Sequence, residues 1–244
     1  MPKKIQDTIE NLYEVFSKYP GNSKMRASPN YGNIDQWNSG LFSKPLTALD
    51  EEDLSLFTGK VLTTWGELDD FKHFLPRILE LTSQLNPPYE VQVVYHKLDY
   101  AKWQDWDLDE REAIIEFNRA LWISLLNNRG EKAYREFSEY LYSLFYSHPK
   151  PSGLLELWDR ETSNEADIHL AKFIYVEGHK LFEDHVDMEN ENMAQLGSWL
   201  LSPAKLQRLQ KAFFENEQEA FAEEISWSEK ILENAIKKTG HSAC

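Results

Sequence analysis

The chain has 244 residues, 41 acidic against 26 basic side chains, a formal net charge of −15 and 13% aromatic residues. Such a surplus of carboxylates repels polyanions, which excludes nucleic acid as an expected partner and favours cations or basic proteins. No apolar run reaches the roughly 18–20 residues of a membrane span, and the lone cysteine, Cys244, allows neither an intrachain disulfide nor a Cys-based zinc site. Asp7, Glu10 and Asn11 interrupt any apolar stretch behind Lys3 and Lys4, so the sequence reads as lacking a secretory signal and as cytoplasmic.

Residues 3–19 predict a first helix, with Ile5, Ile9, Leu12, Val15, Phe16 and Tyr19 at 3–4 spacing. From Pro20 to Pro45 the chain is rich in Gly, Asn and Ser, longer than the usual ceiling of about 12–15 residues for a structureless connection. Tyr31, Ile34, Trp37, Leu41 and Phe42 favour an ordered strap over a solvated linker. Asp50 to Asp53 then open a helix with acids at its positive end, continued by Leu54, Phe57, Val61, Leu62 and Trp65 and stopped by Gly66. Asp69 or Asp70 caps a short turn, and Pro76 reads as the first residue of a helix to Leu85.

Residues 89–102 fit either a strand or a helix; helix is expected, since an isolated strand among helices would lack a partner. Trp103–Asp107 predicts a turn, Asp107 or Asp109 starts a helix through Leu125, and Asn127–Gly130 breaks it. Another helix from Ala133 to Phe145 ends before Pro149. Leu154–Trp158 predicts a short turn, Ser163 or Asn164 caps a helix to about His185, and Met193–Leu200 forms one more. After the Ser202-Pro203 start no breaker occurs before Gly240, which predicts one continuous C-terminal helix roughly 50 Å long. The expected fold is all-α: a single domain over 1–244, made of an N-terminal helix (1–19), a loop or strap (20–48) and a helical body (49–239). Helix pairs about every 35–45 residues suggest HEAT or armadillo packing, but residue-level self-similarity is lacking and an irregular multi-helical domain fits equally.

The stretch from Thr63-Thr64-Trp65-Gly66 through Asp69-Asp70-Phe71-Lys72-His73-Phe74-Leu75-Pro76-Arg77-Ile78-Leu79-Glu80-Leu81 carries a resemblance. With Lys97-Leu98-Asp99-Tyr100-Ala101 and Ala120-Leu121-Trp122, it resembles a family of bacterial hypothetical helical proteins without an assigned activity, over about residues 45–125. Some members carry clustered cysteines where this chain has its Gly/Asn-rich loop. Residues 20–45 hold no cysteine, so the resemblance implies no thiol or metal role there and transfers no catalytic residue.

Four groups of residues are candidates for chemistry. Asp69, Asp70 and His73 lie within one helical turn and could place a carboxylate beside a general-base imidazole in an aromatic-lined pocket, although paired aspartates before an amphipathic turn are also ordinary caps. His169, His179, Glu183, His185 and Asp187 form the one His/carboxylate cluster; only His179 and Glu183, four apart, share a helix face as metal ligands would, and no His-Glu-x-x-His pair is present. Trp103 and Trp106, with Tyr100, offer either an aromatic platform or core packing, and Tyr142 and Tyr146 fall beside the apolar stripe of their helix. Acid clusters recur at Glu183–Glu191 and at Glu215, Glu217, Glu219, Glu223 and Glu224. Phosphate loops, dinucleotide glycine fingerprints and Gly-x-Ser-x-Gly elbows do not occur, and no cofactor is expected. The sequence therefore leads to a non-enzymatic interaction protein with an acidic surface, such as an immunity or inhibitor protein for a basic partner, with a homo-oligomer through the C-terminal helix as a further expectation. Its binding residues would be Trp103, Trp106, Tyr142, Tyr146, Glu215, Glu219 and Glu223. The rival is an enzyme of unknown class using Asp69, Asp70 and His73.

Overall fold

A computed structural model describes residues 4–183 and 191–241. Among them the fold is all-α: α1 (Ile5–Phe16), α2 (Ile34–Leu41), α3 (Glu51–Lys60), α4 (Leu68–Ser83), α5 (Val91–Tyr100), α6 (Leu108–Leu126), α7 (Glu131–Ser147), α8 (Ser152–Arg160), α9 (Asn164–Glu183), α10 (Glu191–Leu200), α11 (Pro203–Glu215) and α12 (Ala222–His241). None of these helices is long and apolar enough to cross a membrane. Packing divides the chain into two compact units. The first holds residues 1–121 and 142–149, the second 122–141 and 150–244.

In the first unit the apolar spacing of α1 buries Ile9, Leu12 and Phe16 as expected. The segment from Pro20 to Pro45 is an ordered strap that contains α2. Ser28 N donates to Thr64 O (2.8 Å) and Gly66 N to Arg26 O (2.8 Å), which ties the strap to the turn after α3. Buried Asn38 completes the tie: its Oδ1 accepts from Trp65 Nε1 (2.9 Å) and its Nδ2 donates to Met25 O (3.0 Å).

Two helix boundaries differ from expectation. α3 starts with the expected acidic cap, where Asp50 and Asp53 exchange side chain–backbone hydrogen bonds, but it ends at Lys60 rather than Gly66. The amides of Thr63, Thr64 and Trp65 all turn back onto Lys60 O, and Gly66, at φ +71°, belongs to the following turn, where only glycine is free of strain. α4 starts at Leu68, with Glu67 N donating to Asp70 Oδ2 (2.8 Å), so Pro76 lies inside the helix. An interior proline costs roughly 3 kcal/mol, and here the burial of Phe71, Phe74, Leu75, Ile78 and Leu79 on the same helix offsets it. α5 is a helix, as its spacing of Val91, Val94, Tyr95 and Leu98 requires.

The second unit is built around stacked rings. Trp122 lies 5.4 Å from Phe137 and 5.3 Å from Trp158, and His169 stacks on Phe137 at 4.4 Å. Leu154–Trp158, expected as a short turn, lies within α8, which buries Leu154, Leu155 and Trp158. The single C-terminal helix is also corrected. The helix stops at Glu215 and a new one starts at Ala222, leaving α12 as a long terminal helix rather than one rod from Pro203. Asn216 causes the break: it is buried, its Nδ2 donates to Ala212 O (2.8 Å) and to Asn164 Oδ1 (2.8 Å), and its Oδ1 accepts from Asn164 Nδ2 (3.0 Å). A side chain satisfied in this way competes with continued helical bonding.

Candidate functional site

The expected Asp–His pair does not form a dyad among the described contacts. Asp70 is buried beneath the strap, where its carboxylate caps α4 and meets Asn22; burial pushes its carboxyl up despite those hydrogen bonds. His73 Nδ1 faces Tyr19 O at 3.0 Å, so as a donor it is spent on a backbone carbonyl, and the ring stacks on Phe42 at 6.0 Å. Asp69 is exposed. Both aspartates line a cleft of about 550 Å³ under the strap, whose walls include Asn22, Lys24, Arg26 and Glu67. Pro20 and Leu68 complete the lining, which holds no aromatic ring, unlike the pocket the sequence suggested.

Trp103 and Trp106 are core residues rather than a platform. Both are buried, with Trp103 Nε1 donating to Asp99 Oδ1 (3.2 Å) and Trp106 Nε1 to Ala101 O (2.9 Å). Trp106 also lies under an ion cluster. Glu110, wholly buried, accepts from Lys72 Nζ (2.7 Å), Lys18 Nζ (3.1 Å) and Tyr19 Oη, and Lys72 Nζ stands 4.2 Å from the centre of a Trp106 ring. Burial alone would raise the Glu110 carboxyl, but hydrogen bonds from Lys72, Tyr19 and Lys18 outweigh it and hold it below the ordinary range. Tyr142 is half-buried and Tyr146 is 49% exposed.

His169 is buried in the second unit, its Nε2 facing Asn128 O (3.0 Å). Burial lowers its pKa to about 4, so it stays neutral. His179 is exposed on α9. The side chain of Glu183, together with His185 and Asp187, lies outside the described residues, as does most of the acidic run 183–191. Among the described residues no three His, Cys, Asp or Glu are grouped to hold a metal.

The C-terminal acid cluster lies at the surface. Glu215, Glu217, Glu219 and Glu223 are all exposed around the α11–α12 break. Glu215 meets Lys211 (3.6 Å) and Glu224 meets Lys172 (2.6 Å), while Glu217 and Glu219 have no ion pair among the described residues. No family model, curated protein or solved structure matches this chain.

Two residues of that surface escaped the sequence reading. Phe214 is 73% exposed and Trp227 is 48% exposed, beside carboxylates on α11 and α12 respectively. The signal was present. α11 buries Lys205, Leu209 and Ala212, and Phe214 falls on the opposite side of that stripe. On α12 the buried positions Ile225, Ser228, Leu232 and Ala235 leave Trp227 outside.

Proposed function

We propose that this chain is a non-enzymatic cytosolic interaction protein that docks a basic protein on the acidic surface at residues 214–223, in the manner of an inhibitor or immunity protein. The observation that supports this reading is an exposed aromatic ring, Phe214, set among carboxylates of which Glu217 and Glu219 are unpaired among the described residues. An aromatic anchor that becomes desolvated on binding supplies affinity, and the surrounding charge steers a basic partner and suppresses acidic ones. The single cysteine in a 244-residue chain accords with a reducing compartment.

Affinity capture from the host's lysate tests the proposal, with wild type compared to the triple variant Phe214→Ser, Glu217→Gln, Glu219→Gln. A basic protein held at about 50 mM salt, released at about 500 mM and absent from the variant's eluate is expected. Capture of the same proteins by both chains at both salt levels would refute it. The 550 Å³ cleft under the strap sustains a second reading, an enzyme using Asp69 and Asp70 with His73 nearby. Activity screening of wild type beside His73→Ala decides it, and identical profiles would end it.

A further inference from the structure

α9 and α12 meet closely in the second unit: a Cβ on Gly178 would lie only 2.8 Å from Ile231 Cγ2. Beside this contact is a cavity of about 120 Å³. Phe182, Trp227, Ile231 and Ala235 give it apolar walls, and its polar lining is His179, Lys230, Asn234 and Lys238. No carboxylate lines it among the described residues, although the chain carries 41 acids. On these helices Lys172 pairs with Glu224 (2.6 Å) and Lys237 with Glu233 (2.7 Å). Lys230 has no such partner among the described residues, and its Nζ stands 4.7 Å from the centre of a Trp227 ring.

We propose that this cavity is a binding site for a small monocarboxylate with an apolar body, the carboxylate pairing with Lys230 and the body packing on Phe182, Trp227 and Ile231. Volume sets the size of the ligand. A cavity of about 120 Å³ suits a small ligand with the body of a single ring or a short alkyl chain. Charge sets the head group, because an ammonium at an apolar wall binds an anion through a charge-assisted hydrogen bond that a neutral analogue cannot make. The cleft in the first unit offers no such discrimination, since its walls carry both signs.

The test is a titration of the full chain with benzoate and hexanoate, using benzamide and hexanol as neutral controls, read by NMR shifts of the Gly178 amide, the Ile231 methyls and the Trp227 indole. Saturable shifts at millimolar concentrations are expected for the acids, as suits ligands this small. Binding should weaken about tenfold for the neutral controls and for Lys230→Gln, the loss of one charge-assisted contact. Ala235→Phe, which fills the cavity, should abolish the shifts while circular dichroism remains native. Absence of saturable shifts, or equal affinity for acid and amide or for wild type and Lys230→Gln, would overturn the proposal. The last two comparisons keep it testable if Ala235→Phe does not fold.

Discussion

The replacement of Glu110 by glutamine tests the physical account of the first unit most sharply. The wild-type carboxylate is wholly buried and binds Lys72 Nζ at 2.7 Å, Lys18 Nζ at 3.1 Å and the Tyr19 hydroxyl. Glutamine keeps the volume but removes the charge, and leaves the Lys72 ammonium, itself only 6% exposed, without a counter-ion beside Trp106. Breaking a buried pair from one side costs about 3–5 kcal/mol, because the surviving charge is left uncompensated. Lys18 is a useful contrast. Its side chain is 41% exposed, so Lys18→Ala gives up a contact largely screened by water and should cost under about 1 kcal/mol. Urea unfolding followed by far-ultraviolet dichroism measures both, and at a slope of about 2–3 kcal/mol per molar the Glu110→Gln midpoint should fall by about 1–2.5 M. The pH dependence supplies a second signature. The folded Glu110 carboxyl is held below its ordinary range, so its stabilisation is present above the unfolded value and lost as pH falls through the folded one. Glu110→Gln should lack that part of the acid sensitivity. A variant within about 0.5 kcal/mol of wild type would refute the reasoning, since it would mean Lys72 does not need its partner.

Three further outcomes follow from the second unit. Asn216→Ala removes both hydrogen bonds exchanged with Asn164 and the one to Ala212 O; thermal or urea unfolding should show a loss of about 1–3 kcal/mol. His169 has a folded pKa lowered from 6.5 to about 4, so the unfolded chain binds the extra proton first; its stabilisation is complete above pH 6.5 and is lost as pH falls towards 4. His169→Phe should flatten the stability curve over that interval, and an unchanged slope would show that the imidazole is not buried. Gly178→Ala drives a Cβ towards Ile231 Cγ2 at 2.8 Å and should cost about 1–3 kcal/mol, with recovery when Ile231→Ala is added. Failure of the second change to recover stability would mean that the two helices do not meet there.

Most helices were legible because burial every third or fourth residue is written directly in the chain. Ile9, Leu12 and Phe16 on α1 and Val91, Val94 and Leu98 on α5 are buried where the spacing places them. The errors came from local signals overruled by distant ones. Gly66 and Pro76 are strong punctuation marks in sequence, yet hydrogen bonding of the strap to the turn after α3 and a cap at Glu67 moved both boundaries. The break at Asn216 was unreadable because its decisive partner, Asn164, is 52 residues away. The Lys72–Glu110 pair, 38 residues apart, was hidden for the same reason. At the candidate surface the acids Glu215, Glu217, Glu219 and Glu223 were legible as a charge run. Their aromatic neighbour Phe214 was not, because Phe213 and Phe214 are adjacent and the sequence does not say which ring turns outward. Trp103 and Trp106 show the converse: an aromatic-rich turn reads as a binding platform or as core, and only the fold reveals that both indoles are buried.

The most direct measurement of the proposed function is the association rate of the proposed basic partner with the purified chain as ionic strength is raised. If exposed carboxylates around Phe214 steer the encounter, the association rate should fall at least tenfold between about 50 and about 500 mM salt while the dissociation rate changes little. Phe214→Ser should instead speed dissociation and leave the salt dependence intact. An association rate indifferent to salt would contradict the account, because it would separate binding from the charge that the chain carries.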